Sequence, residues 1–330
     1  MKLALTLLVA LLVTACAPAP AAPTGTPAQA TPAQRTTLEI AYADDPSRHA
    51  LLWAITNGKV TSPTVDVKVS FLPLPQIIPA ANTKQYDALE ATPLAVPRAP
   101  GADPGFLILS NGLVNISSTA LMVGKDGARS PAELKGKTIG VASLGGTFVL
   151  ETRYVLQKQH GLNTDLRSGE VKFSETPPEA TPTLLKENKL DAAVLAQLAY
   201  YRLRTSPDHR LLANVTEEFT RLSGHRPVNS VIVTYRDKVQ TKKAALGELQ
   251  RMLASSRAYL LANKAEVFKD VAAKRNVDQA FLEWIFTVLD LAAGPVTDTD
   301  MAQIAATWEA AKSIGDIQSA PAVKDVVFRP

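Results

Sequence analysis

Strand, loop and helix follow one another repeatedly after residue 37, and that order confines the chain to the α/β class, because each strand hands on to a helix that must cover the sheet. Leu38-Glu39-Ile40-Ala41-Tyr42 alternates as a strand does. Asp45-Pro46 then supplies an N-cap and a proline at the first helical position, opening a helix that runs to about Thr56. Residues 65–72 alternate again, with Val65, Val67, Val69 and Phe71 on one face, and 88–91, 106–109 and 119–123 are further strands.

The pattern continues past residue 130. Ser130-Pro131-Ala132-Glu133 has the form of a capping box, 137–142 is a strand, Ser143-Leu144-Gly145-Gly146 a glycine loop, and 147–160 a helix. Strands at 171–173, 192–195 and 230–234 follow, and then helices over about 241–262, 264–274, 277–293 and 298–312. Asp87-Ala88 precedes Leu94-Ala95 by the spacing at which Asp191-Ala192 precedes Leu198-Ala199, an echo that predicts two similar α/β lobes, each presenting a strand-end loop.

Residues 1–15 read as a signal peptide: Lys2, an apolar core from Leu3 to Val13, then the small Thr14 and Ala15 before Cys16. The apolar run falls short of the roughly 20 residues a permanent spanning helix needs. Val13-Thr14-Ala15-Cys16 resembles the bacterial lipobox, which implies that Cys16 is acylated and becomes the N-terminus. Residues 16–36 follow as a tether, since five prolines and seven alanines between 17 and 36 extend a chain without packing it. The folded part is expected to start near Thr37, held outside the cytoplasm at a membrane by the lipid.

Composition narrows the chemistry. Against 31 acidic residues, 35 basic ones leave a net charge of +4, too small for a protein that coats nucleic acid, so no nucleic-acid partner is expected. The single cysteine excludes an internal disulfide and a multi-cysteine metal site. His49, His160, His209 and His225 are isolated in sequence, no Gly-x-Ser-x-Gly elbow occurs, and neither a metal, a cofactor nor an enzymatic reaction is expected.

What remains is a binding site. Gly140 to Thr147 has the spacing of a phosphate-binding loop, except that Gly146 stands where a lysine belongs. A strand, a glycine loop and a helix start still aim backbone N–H groups and a helix dipole at one point, which suits an anion but not a nucleoside triphosphate; a tight packing turn is the alternative. Arg48 and His49 lie in the first helical turn beyond the first strand, where α/β sheets receive ligands. Tyr200 and Tyr201 offer an aromatic wall, whereas Trp53, Trp284 and Trp308 sit within helical periods and read as packing.

Ala132-Glu133-Leu134-Lys135-Gly136-Lys137-Thr138-Ile139-Gly140-Val141, then Gly145-Gly146-Thr147, Leu190-Asp191-Ala192-Ala193-Val194 and the strand 230–234 resemble the periplasmic substrate-binding proteins of ABC importers for sulfonates, nitrate, taurine and thiamine-pyrimidine precursors. The resemblance spans about 37–315. It implies a two-lobed type II periplasmic-binding-protein fold with a hinge and a helical C-terminal segment, lobe I being 37–122 and 231–330 and lobe II 123–230, the chain crossing near Met122 and Ser230. It implies a monomer that captures a small polar or anionic molecule without chemistry and delivers it to permease subunits, or alternatively a ligand sensor of the same fold reporting to a membrane partner. Carried over by position, the cleft residues are Asp44, Arg48 and His49 after the first strand, Thr92 after the Asp87 strand, Ser118 and Thr119 at the first crossover, Gly145, Gly146 and Thr147 on the glycine loop, and Gln197. Ala196-Gln197-Leu198 departs from the Trp-Glu-Pro frequent in relatives, and 44–49 lacks their glycine-rich start, so the ligand stays open.

Overall fold

The computed structural model of the chain describes residues 35–98 and 105–330. The signal peptide, the acylated Cys16 and the tether as far as residue 34 lie outside the described residues. Arg35 and Thr36, counted above with the tether, belong to the folded part: Thr36 pairs with Val65, and the Arg35 guanidinium donates to the carbonyls of Ser62 and Val65 at 2.8 and 2.9 Å.

Two sheets organise residues 35–330. The first contains β1 (Thr36–Ala43), β2 (Val65–Leu72), β3 (Ala88–Ala91), β4 (Phe106–Asn115), β10 (Val228–Tyr235) and the short β11 (Leu289–Leu291), in the order β11-β4-β10-β3-β1-β2. The second contains β5 (Thr119–Gly124), β6 (Thr138–Val141), β7 (Lys172–Glu175), β8 (Ala192–Ala196) and β9 (His209–Asn214), in the order β7-β6-β8-β5-β9. Laid side by side, β2-β1-β3-β10-β4 and β7-β6-β8-β5-β9 are the same arrangement: three parallel strands, then one that runs antiparallel to both its neighbours.

In each sheet that antiparallel strand arrives directly from the other lobe. The chain crosses through 116–118 and returns through 224–227, a few residues ahead of Met122 and Ser230, because Thr119 is already paired with Ala196 and Val228 with Val114.

The echo in the sequence has a shared physical basis. Asp87 Oδ2 accepts the Glu39 amide at 2.9 Å where β3 joins β1, and Asp191 Oδ2 accepts the Thr138 amide at 2.8 Å where β8 joins β6. Each aspartate satisfies a donor that the sheet edge would otherwise leave open.

Helices cover the sheets. α1 (Pro46–Thr56) and α2 (Leu74–Thr83) flank the first; α3 (Thr147–His160), α4 (Thr181–Lys186), α5 (Gln197–Leu203) and α6 (Val215–Ser223) belong to the second. α1 forms as the cap predicts: the Asp45 carboxylate accepts the Ser47 amide at 2.8 Å, and Leu51, Leu52, Trp53, Ala54 and Ile55 go into the core. Burying a leucine contributes roughly 1.5–3 kcal/mol, so this helix is held by packing more than by its cap.

The C-terminal helices α7 (Arg236–Ala262), α8 (Lys264–Arg275), α9 (Gln279–Val288) and α10 (Asp298–Ser313) return to the first lobe, and Trp308 of α10 donates its indole N–H to the Pro93 carbonyl at 2.9 Å. α7 departs from helical geometry at Lys242, whose ammonium reaches Asp87 at 2.8 and 2.9 Å. Two local readings are corrected. The helix expected over 277–293 stops at Val288, because Leu289 to Leu291 pair with β4. The Ser130 box does not close: Glu133 accepts the Arg129 amide instead, and Ser130 caps no helical amide.

Candidate functional site

The glycine loop joins β6 to α3. Gly146 is the N-cap of α3 and has no side chain to cap with, so Val149 and Leu150 take its carbonyl while no protein acceptor among the described residues takes the amides of Thr147 or Phe148. The loop is braced on other sides. Glu175 Oε1 accepts the Leu144 amide at 2.9 Å, and Arg98 Nη1 donates to the Gly145 carbonyl at 2.9 Å. Arg98 is also ion-paired with Asp316, which Arg153 reaches at 2.5 Å.

In front of the free amides lies a cavity of about 180 Å³. Val141, Phe148, Val194 and Leu195 form its apolar wall on the second lobe, and Leu74 of α2 faces them from the first. Its polar points are side chains without charge: Ser143, Thr176, Thr181 and Gln197. Among the described residues no lysine, arginine, histidine or carboxylate lines it.

Two contacts tie the lobes together beside this cavity. Thr92, after β3, meets Thr147 hydroxyl to hydroxyl at 3.0 Å, and Thr147 Oγ1 also donates to the Asn229 carbonyl at 3.0 Å. Gln197, the first residue of α5, has its amide oriented so that the nitrogen donates to Asp45 Oδ2 and the oxygen accepts from Arg48 Nη1, both at 3.0 Å. Gln197 sits at φ +50°, a left-handed conformation uncommon for a residue with a Cβ, and the strain aims its side chain across the cleft.

Arg48 is 6% exposed and Glu90 5%, and they form a forked pair, with Nη2 to Oε1 at 2.8 Å and Nε to Oε1 at 3.1 Å. Burial alone raises the Glu90 carboxyl, but the Arg48 charge and hydrogen bonds, with the Ala43 amide, bring it below its ordinary value. The donors that sequence reasoning assigned to a ligand are thus occupied within the protein.

The other expected residues divide. Gly145, Gly146, Thr147, Thr92 and Gln197 gather at the cavity and its rim. Asp44 and His49 turn to one another at 2.8 Å, with His49 stacked on Phe71 at 3.6 Å between ring centres and Arg275 also on Asp44. Burial holds the His49 imidazole below its usual range. Ser118 and Thr119 lie wholly inside the crossover, where Ser118 donates to Asn115 Oδ1 at 2.8 Å and Asn115 Nδ2 donates to Glu151 Oε1 at 2.9 Å. Glu151 is fully buried without a cation against it, and burial pushes its carboxyl up to about 8.

Leu74, Thr176, Glu175 and Glu90 were not singled out from the sequence. Among the described residues no group of three or more histidines, cysteines or carboxylates is placed to hold a metal.

No family model and no curated protein matches the chain in sequence. Solved structures do match in shape. The aliphatic sulphonate binding protein SsuA from Escherichia coli is 13% identical, with a TM-score of 0.71 over 89% of this chain and 98% of that one. The alkanesulfonate-binding protein SsuA from Xanthomonas axonopodis pv. citri, bound to MOPS, is 19% identical, with a TM-score of 0.72 over 90% of this chain and all 100% of that one. A Candida albicans protein described as having the generic periplasmic binding protein fold is 15% identical, with a TM-score of 0.67 over 87% of this chain and 93% of that one. The fold is that of the periplasmic binding proteins. The two sheets and the double crossover of the described residues are those expected of that fold from the resemblance of the sequence.

Proposed function

We propose that the protein is an extracytoplasmic solute receptor, anchored through acylated Cys16, that captures one small polar or anionic molecule between its lobes and hands it to the permease of an ABC importer. The observation that carries this reading is the position of the cavity: its walls belong to both lobes, and the contacts Thr92–Thr147 and Gln197–Asp45 flank it. A solute seated there touches groups that come together only when the lobes do, so its binding favours the closed arrangement by its differential affinity for the two states. Two of the similar structures are described as sulfonate-binding proteins, which makes a sulfonate the first anion to titrate.

A native mass spectrum of the protein purified from its expressing cells tests capture. One small molecule per chain, released unchanged on denaturation, is the expected result; release in a chemically converted form contradicts a receptor. Anchoring is tested separately by fractionating cells that carry Cys16→Ser, which should leave the membrane fraction. Retention equal to the parent's removes the lipid anchor from the account.

A further inference from the structure

If the cavity is the receptor's solute site, its chemistry restricts what enters. We infer that the solute is an apolar-bodied molecule whose head, where it meets the glycine loop, is an uncharged hydrogen-bond acceptor.

Four observations converge on this. The wall is built from Val141, Phe148, Val194, Leu195 and Leu74, which calls for a hydrocarbon or ring surface. The amides of Thr147 and Phe148 are donors without a protein acceptor, which calls for an oxygen or a ring nitrogen. Among the described residues no side-chain cation lines the cavity, because the nearby guanidiniums are engaged elsewhere: Arg48 by Glu90 and Asp45, Arg98 by Asp316 and the Gly145 carbonyl.

The fourth observation decides the sign of the charge. The Glu175 carboxylate already sits on the loop, 2.9 Å from the Leu144 amide. The start of α3 contributes roughly half a positive charge, and the Glu175 carboxylate on the same loop offsets part of it. An anionic head would leave water for an apolar cavity in which no described side chain is a cation, and the loop that bounds it already carries the Glu175 carboxylate. A neutral acceptor makes the same hydrogen bonds without those costs.

Calorimetry with matched pairs tests this: butane-1-sulfonate against butyl methyl sulfone, and benzoate against benzamide. The neutral member should bind the parent at least tenfold more tightly. Glu175 is exposed, so Glu175→Gln should keep the parent's thermal midpoint while narrowing the gap to about threefold or less, through a gain in anion affinity. Tighter binding of the anionic members to the parent overturns the inference and leaves the receptor reading intact, as does a co-purified solute that is an anion at pH 7. A gap unmoved by Glu175→Gln also overturns it. Binding of neither member overturns it too, and takes the receptor reading with it if the native mass spectrum carries no solute.

Discussion

Thr92 and Thr147 share a hydrogen bond of 3.0 Å between their hydroxyls, and the two residues belong to different lobes. Both are helix-entry residues, Thr92 as the cap of the turn after β3 and Thr147 as the first residue of α3 after β6, so the contact joins the corner after the third parallel strand of one sheet to the corner after the middle one of the other. Thr147 is 3% exposed and also holds the Asn229 carbonyl at the start of the returning strand β10. One hydroxyl therefore connects cleft, glycine loop and crossover.

Replacing either hydroxyl by a methyl keeps the shape and removes the bond. Thr147→Val should cost about 1–2 kcal/mol of stability, because it leaves the Asn229 carbonyl short of a donor. In a double-mutant cycle with Thr92→Val, urea denaturation should return a coupling of about 0.5–1 kcal/mol. Strict additivity would mean that the pair does not hold the lobes together in solution.

Glu90→Gln should be costlier, because it leaves the buried Arg48 with only Asp45 to balance its charge. Removing one partner of such a pair typically costs about 3–5 kcal/mol. The folded carboxyl lies below its ordinary value of about 4.5, so the stability it lends is present above that pH and is lost as the pH falls through the folded value. Chemical denaturation at pH 7 and at successively lower pH down to about 3 checks both statements: a Glu90→Gln protein as stable as the parent at pH 7 contradicts the first, and a deficit that does not shrink as the pH falls below 4.5 contradicts the second.

The hinge titrates in the opposite sense. Glu151 rises from about 4.5 to about 8 through burial, with Asn115, Thr119 and Thr216 as its partners and no cation among them. The native state therefore holds a proton that the unfolded chain has lost, and stability falls as the pH rises from about 4.5 through about 8. At about 1.4 kcal/mol per pH unit, this group should cost the parent on the order of 5 kcal/mol across that window. Glu151→Gln should escape the loss, so the difference between the two proteins should grow from pH 5 to pH 9. Parallel stability curves would contradict a protonated hinge.

Much of this architecture can be read locally. Asp45-Pro46 opens α1 and Gly161, at φ +66°, closes α3, because cap chemistry depends on a few adjacent residues. The glycine loop was legible for the same reason. α2 was not: no helical pattern is read between residues 72 and 88, yet the helix forms there with Pro79 inside it. β11 has a helical period in sequence and becomes strand only because β4, more than 170 residues earlier, offers an edge. Leu74 reaches the cavity from α2 and Glu175 braces the glycine loop from β7, placements that no local pattern encodes. Arg48 was legible as a cleft residue, but its role depends on Glu90, 42 positions away.

Gln197 separates strain from contact. Gln197→Gly should relieve the left-handed backbone and leave the fold as stable as the parent or up to about 1 kcal/mol more so. It should also loosen the lobes, because the bonds to Asp45 and Arg48 go with the side chain. Small-angle scattering should report a larger radius of gyration for Gln197→Gly than for the parent. Superimposable scattering curves would show that this side chain does not hold the cleft.

The site itself is tested most directly at Gly146. An added Cβ there meets only the Ser143 carbonyl oxygen, at 3.3 Å, and aspartate is a favoured N-cap, so Gly146→Asp should fold at least as well as the parent. Its carboxylate would take the amides of α3 left open at the cavity. Calorimetric titration of the solute released from the native complex should give one site per chain in the parent and in the surface control Lys158→Ala, and at least a hundredfold weaker binding in Gly146→Asp. Parent-like affinity in Gly146→Asp would remove the glycine loop from the site and contradict the account.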